Sequence, residues 1–151
     1  MTKDTRITYI IGPTGIGKSD FSINMAKTLG AEIISADAYQ VYKGMDIGTA
    51  KISQEEQKKA PHHLIDIRYP DEPYNVRDFL TYTQELIHKA KKKNTPLIIC
   101  GGNGLFARSF LYNYSFPEAK SNPETRQKLS DDYIEQGKQV LWEKLHKIDP
   151  E

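Results

Sequence analysis

Four short apolar runs, Ile7 to Ile11, Glu32 to Ser35, His63 to Ile67 and Leu97 to Cys100, alternate with stretches of helical periodicity. Strands that are apolar almost throughout are covered on both faces, so this alternation predicts a parallel sheet between helical layers. Phe21, Met25, Ala26 and Leu29 predict one face of a first helix, stopped by Gly30. Asn75 stands as an N-cap before Val76, Phe79, Leu80, Thr83, Leu86, Ile87 and Ala90, which recur at helical spacing. Lys89, Lys91, Lys92 and Lys93 close that helix, where positive charge complements its dipole; contact with RNA is their alternative use. A third helix is predicted after Gly104, carrying Leu105, Phe106, Phe110 and Leu111.

The turn after the first run narrows the chemistry. Gly12, Pro13, Thr14, Gly15, Ile16, Gly17, Lys18 and Ser19 match the phosphate-binding pattern G-x-x-x-x-G-K-S/T at every fixed position, between a strand pattern and a helical one. Glycines let successive N–H groups converge on an anion, Lys18 reaches outer phosphate oxygens, and the Ser19 hydroxyl can ligate Mg2+. The dipole of the following helix acts at the same point. A glycine-rich turn with a solvated lysine is the plainer alternative. Backbone amides do not distinguish a nucleotide from another pyrophosphate.

Beyond Tyr114 the strand pattern stops, and Pro117, Pro123 and Pro150 punctuate a helical stretch. Pro123 suits a first helical position after Asn122, Gly137 can end that helix, and a second is predicted from Lys138 to Ile148 with Leu141, Leu145 and Ile148 on one side. The expected division is a core over 1–115 and the beginning of a helical insertion over 116–151, which stops where a helical hairpin would be expected to return.

Composition excludes several classes. With 38% hydrophobic and 27% charged residues the chain is neither disordered nor membranous, and no apolar run approaches the roughly 20 residues that span a bilayer. The polar opening "MTKDTR" does not read as a secretory signal, and the single cysteine, Cys100, suits a reducing, cytoplasmic setting. Cys100 ends an apolar run and is read as a small buried hydrophobe. A net charge of +1 leaves any RNA contact to a local patch.

In an open parallel sheet, ligands bind beyond the carboxyl ends of the strands. There the sequence places "SADAYQVYKGMDIGTAK", Asp66 and "GGNGLF". Together "GPTGIGKS", "DAYQVYKGMDIGTAK", "PHHLIDI" and "GGNGLFARSFL" resemble the tRNA dimethylallyltransferase family, from the first strand to "KIDPE". The resemblance implies a P-loop NTPase-like, three-layer α/β fold, followed by a helical insertion and, in the family, by further chain that completes the sheet. It implies a dimethylallyl diphosphate donor, with its pyrophosphate on the loop, and an acceptor adenine next to the anticodon of tRNA.

An exocyclic adenine amine is a poor nucleophile, so a carboxylate that takes its proton lowers the barrier. The resemblance makes Asp37 that base; capping the next turn and supporting Mg2+ are its alternatives. It assigns Asp37, Ala38, Tyr39 and Gln40 to tRNA binding, with Gln40 on the adenine edge, and Thr14 to a substrate contact. Lys18, the loop amides and Mg2+ on Ser19 would offset charge on the leaving pyrophosphate. The adenine would be extruded into the pocket.

Asn103 stands where the family has a substrate-contacting threonine and joins Asp37 and Lys18 as a catalytic candidate. Ala38 and Phe106 replace a family serine and tyrosine. Tyr39 and Tyr42 serve packing or stacking. His62 and His63, neighbours on a strand, point to opposite faces and read as structural. Asp46, Thr49 and Lys51 are assigned to loop order.

Family members carry a later arginine-bearing segment, so little or no prenyl transfer is expected from these residues alone. A monomer is expected of the full-length form, and self-association of a chain with an exposed sheet edge. An adenylate isopentenyltransferase acting on AMP, ADP or ATP, a small-molecule kinase, and a non-catalytic phosphate- or RNA-binding module are the alternatives.

Overall fold

The computed structural model describes residues 6–116 and 122–150. They fall into two units, within Met1–Phe116 and within Pro117–Glu151. Pro117 lies outside the described residues.

The first unit is a parallel four-stranded sheet between helices. Strands β1 (Ile7–Ile11), β2 (Glu32–Ser35), β3 (His62–His63) and β4 (Leu97–Gly101) lie in the order β1-β4-β2-β3. Helices α1 (Lys18–Leu29), α2 (Gln54–Gln57), α3 (Val76–Lys93) and α4 (Gly104–Leu111) connect or follow them. Side chains alternate across the sheet. Ile33 and Ile98 pack with Ile23 and Ala26 of α1, while Ile34 and Ile99 pack with Phe79 of α3 and Phe106 of α4. The Phe79 and Phe106 rings stack at 4.6 Å, fastening α3 to α4.

Register brings the functional loops together. Ile11 pairs with Gly101 and Ser35 with Cys100, so three strands end level and their outgoing loops share one rim. At that rim the carbonyl of Cys100 accepts the N–H of Ala36 at 2.8 Å.

Helix ends follow local chemistry. Asn75 accepts from the N–H groups of Arg77 and Asp78 at the start of α3, and Asp78 returns a bond to Asn75 N–H. Lys91, Lys92 and Lys93 occupy its last turn, before a left-handed Asn94.

Two expectations are corrected. The third strand does not run from His63 to Ile67: it is His62–His63, because Leu64 (φ 63) and Asp66 (φ 54) take left-handed conformations that end the extended chain. The buried face of α1 is Ser22, Ile23 and Ala26 rather than the Phe21 stripe, and Phe21 and Leu29 are exposed. Strand β1 pairs only with β4 among the described residues, and its Ile7 and Ile11 are exposed. The helix expected after Gly104 is present as α4, with Phe106 buried and Leu105 and Leu111 exposed.

The second unit is α5 (Pro123–Ile148), two helical arms meeting at Gly137, whose φ 79 and ψ 170 are not helical. Asn122 caps the first arm by accepting from Thr125 N–H, with Pro123 in the first turn. Lys144 reaches Asp132 across the break at 2.9 Å. No residue of α5 is buried; Leu145 and Ile148 are exposed.

Candidate active site

At the carboxyl rim a cavity of about 230 Å3 opens between the Gly12–Ser19 loop and the ends of β2 and β4. Thr14, Gly15, Gly17, Lys18 and Ser19 line it. Gly17, with φ 85, is the N-cap of α1 and offers no side-chain cap, whereas the Asn103 side chain caps α4. The first-turn amides of α1 therefore remain available to an anion. Lys18 Nζ donates to the Pro13 carbonyl at 2.6 Å, holding the ammonium over the loop. Gly12 and Ile16 shape the loop from behind: Gly12 lies against the Ile16 side chain and the Gly102 backbone.

Asp37 follows β2. Its Oδ1 accepts from the N–H groups of Tyr39 at 2.8 Å and Gln40 at 3.2 Å, so the carboxylate closes its own turn and stays fixed at the rim. Asp37 and Thr14 line the loop cavity and also a second one, of about 670 Å3, walled by Tyr39 and residues 44–50. The two spaces thus share a wall made by Thr14, Asp37, Thr49 and Ala50.

The remaining candidates separate. Gln40 lines the loop cavity but its amide is engaged: it accepts from Ser35 Oγ and donates to the carbonyls of Thr49 and Ala50, each at 3.4 Å. Ala38 packs against the core on the α3 side. Asn103 Oδ1 accepts from Leu105 and Phe106 N–H, and Asn103 is not among the residues lining either cavity. Asp66 does not join the site either. It pairs with Lys51 at 2.6 Å.

Several lining residues carry little signal in the sequence. Ser35, Thr49, Ala50, Ile52, His62, Cys100, Gly101 and Gly102 reach the loop cavity through strand pairing or the path of the 44–52 segment. The glycine turn after the fourth apolar run was the available signal for Gly101 and Gly102. Cys100 is half-buried rather than enclosed, its Sγ lies 3.8 Å from the Lys18 carbonyl, and burial pushes its thiol pKa up. His62 Nδ1 donates to the Ala60 carbonyl at 2.7 Å, and burial holds its pKa below the ordinary value. His63 Nε2 contacts Glu32 at 2.7 Å, tying β3 to β2. Among the described residues no group of three His, Cys, Asp or Glu could hold a metal, and no helix is long and apolar enough to cross a membrane.

The family model for IPP transferase matches residues 40–151. The chain belongs to the IPP transferase family. It is similar to the tRNA dimethylallyltransferases of Geobacillus thermodenitrificans (44% identical, covering 97% of this chain and 46% of the relative) and Anoxybacillus flavithermus (46% identical, 96% and 45%). It also resembles the solved full-length tRNA isopentenylpyrophosphate transferase of Bacillus halodurans, with a TM-score of 0.72 and 39% identity over 99% of this chain and 49% of that one. A eukaryotic dimethylallyltransferase solved acting on tRNA superposes with a TM-score of 0.76 and 28% identity, over 97% and 36%. The chain thus spans about half the length of the curated relatives it matches.

Proposed function

We propose that this chain carries the donor-binding loop and the acceptor-activating carboxylate of a tRNA prenyltransferase. The carrying observation is Asp37, fixed in the wall that the two cavities share. Dimethylallyl diphosphate would place its pyrophosphate on the Gly12–Ser19 loop and its reactive carbon toward that wall. The acceptor adenine would enter from the side of Tyr39.

Transfer forms a bond from the exocyclic nitrogen to the allylic carbon and breaks the carbon–oxygen bond to pyrophosphate. Asp37 takes the amine proton, and Lys18 with the α1 amides stabilises the departing oxygens. Oxygen donors suit a hard cation: Ser19 and Asp20 line the cavity, so Ser19 would hold Mg2+ together with pyrophosphate oxygens. Bound there, Mg2+ would neutralise charge on the leaving group. Gln40 supports the wall of the pocket, and Asn103 acts on the site by setting the start of α4. The tRNA acceptor and the lone cysteine suit a cytoplasmic setting.

The test is transfer of labelled dimethylallyl diphosphate to unmodified tRNA by the intact protein, with AMP as a competing acceptor. Label in tRNA that is lost in Asp37→Asn supports the reading. Label in AMP alone replaces the acceptor, and pyrophosphate binding without transfer to either leaves a binding module. Residues 1–151 alone are expected to bind pyrophosphate and transfer little.

A further inference from the structure

Lys51 is an almost enclosed cation of the first unit with every donor of its ammonium engaged. Its side chain is only 3% exposed. The ammonium donates to the Tyr42 carbonyl at 2.6 Å, Asp46 Oδ1 at 2.7 Å and Asp66 Oδ1 at 2.6 Å. A lysine has three N–H donors, and each has an acceptor. Lys51 lines neither cavity, so it has no donor left for phosphate or substrate.

What it joins is informative. Tyr42 precedes the 44–50 segment, Asp46 lies within it, and Asp66 follows the short strand β3. The same segment is closed by Lys51 N–H on the Asp46 carbonyl at 3.0 Å, by Thr49 Oγ1 on the Met45 carbonyl at 2.5 Å, and by the Gln40 amide on Thr49 and Ala50. Ala50 is held at φ 47, a conformation an alanine keeps only where its surroundings over-determine it. Ile47 stands 98% exposed at the tip of the segment that walls the second cavity.

We propose that Lys51 is the positioning residue of the acceptor cavity, its ammonium locking residues 44–50 into the wall that faces Asp37 and Tyr39. This rests on the function proposed above, in which that cavity takes the acceptor. Without the ammonium, Asp46 and Asp66 become two neighbouring carboxylates with no counter-charge, and the segment moves away from β3. Lys51 gives the donor loop Gly12–Ser19 no hydrogen bond, and the segment it holds reaches the loop cavity only through Thr49 and Ala50, so the acceptor parameters suffer more than pyrophosphate binding.

Lys51→Met keeps the aliphatic stem and removes the charge. Steady-state kinetics of the intact protein with an unmodified anticodon stem-loop should show acceptor kcat/KM lowered roughly 10- to 100-fold, the scale of an ångström-level misplacement. Inorganic pyrophosphate affinity, measured by calorimetry, should fall less, and amide exchange over 44–50 should accelerate. Unchanged acceptor kinetics overturn the proposal, as does an equal loss of pyrophosphate affinity. If Lys51→Met does not fold, Asp46→Asn, altered at the more exposed partner, should give a smaller acceptor loss of the same sign; no loss there overturns it too. Wild-type protein that transfers to no acceptor overturns the proposed function and the acceptor half of this inference. Unchanged exchange over 44–50 in the variant overturns the clamp itself.

Discussion

The backbone carbonyl of Ala36 occupies the space that a side chain on Gly101 would need. An added Cβ would sit 2.6 Å from the Ala36 carbonyl carbon and closer still to its oxygen. Ala36 N–H is bonded to Cys100, so neither backbone can withdraw without breaking the β2–β4 rim. Gly101→Ala is therefore expected to destabilise the fold by about 1–3 kcal/mol, the range for overpacking a core. Urea unfolding of the two proteins measures this, and equal midpoints would refute the close approach.

Lys18 separates binding from folding. The only hydrogen-bond partner of its ammonium among the described residues is the Pro13 carbonyl. Lys18→Met should leave the unfolding midpoint in place while weakening pyrophosphate binding by roughly tenfold to a hundredfold, the worth of a charged hydrogen bond. Titration calorimetry decides, and wild-type affinity in the variant would remove the loop from donor binding.

Asp37 tests the chemical step. Asn keeps an Oδ1 to accept from Tyr39 and Gln40, so the turn survives while the base is lost. Asp37→Asn should lower kcat by roughly 10²- to 10⁴-fold, the usual contribution of a general base, with pyrophosphate affinity retained. Undiminished single-turnover transfer would assign the proton elsewhere.

Acid should destabilise the protein through His62. Burial holds its folded-state pKa below 6.5, so the unfolded chain binds the proton first; the associated stability is present above pH 6.5 and lost as pH falls through the folded value. Carbonyls of Ala60 and Gln57 oppose that shift, while the neighbouring His63 adds to it. Glu56, held low by hydrogen bonds from Ser53, acts with the same sign at lower pH. Melting temperature should fall on acidification from pH 7.5 to 5.5, and His62→Asn should flatten that fall. A variant with the wild-type slope would clear His62 of the effect.

The open edge of β1 predicts association. Ile7 and Ile11 are exposed on it. Residues 1–151 in isolation should form concentration-dependent oligomers in sedimentation velocity. Ile7→Lys with Ile11→Lys should reduce them, since charge blunts an unpaired edge. A monomer at all concentrations would mean the edge is protected.

Local chemistry alone accounts for much of this protein. The phosphate-loop spacing, the Asn75 and Asn122 caps, the break at Gly137 and three of the four strands follow from side-chain period, capping and backbone freedom, which act within a few residues. The strand order β1-β4-β2-β3 does not, because pairing depends on which apolar faces the helices leave available. That order brings Gly102 beside Gly12, turns Ala38 toward the core and lets Lys51 reach Asp66. It also leaves the Phe21 stripe outside, since α1 packs through the side that β4 and β2 cover. The third strand ends early for a related reason: residues 64–66 turn in left-handed steps to meet Gln40 and Lys51, contacts that no periodicity within the segment encodes.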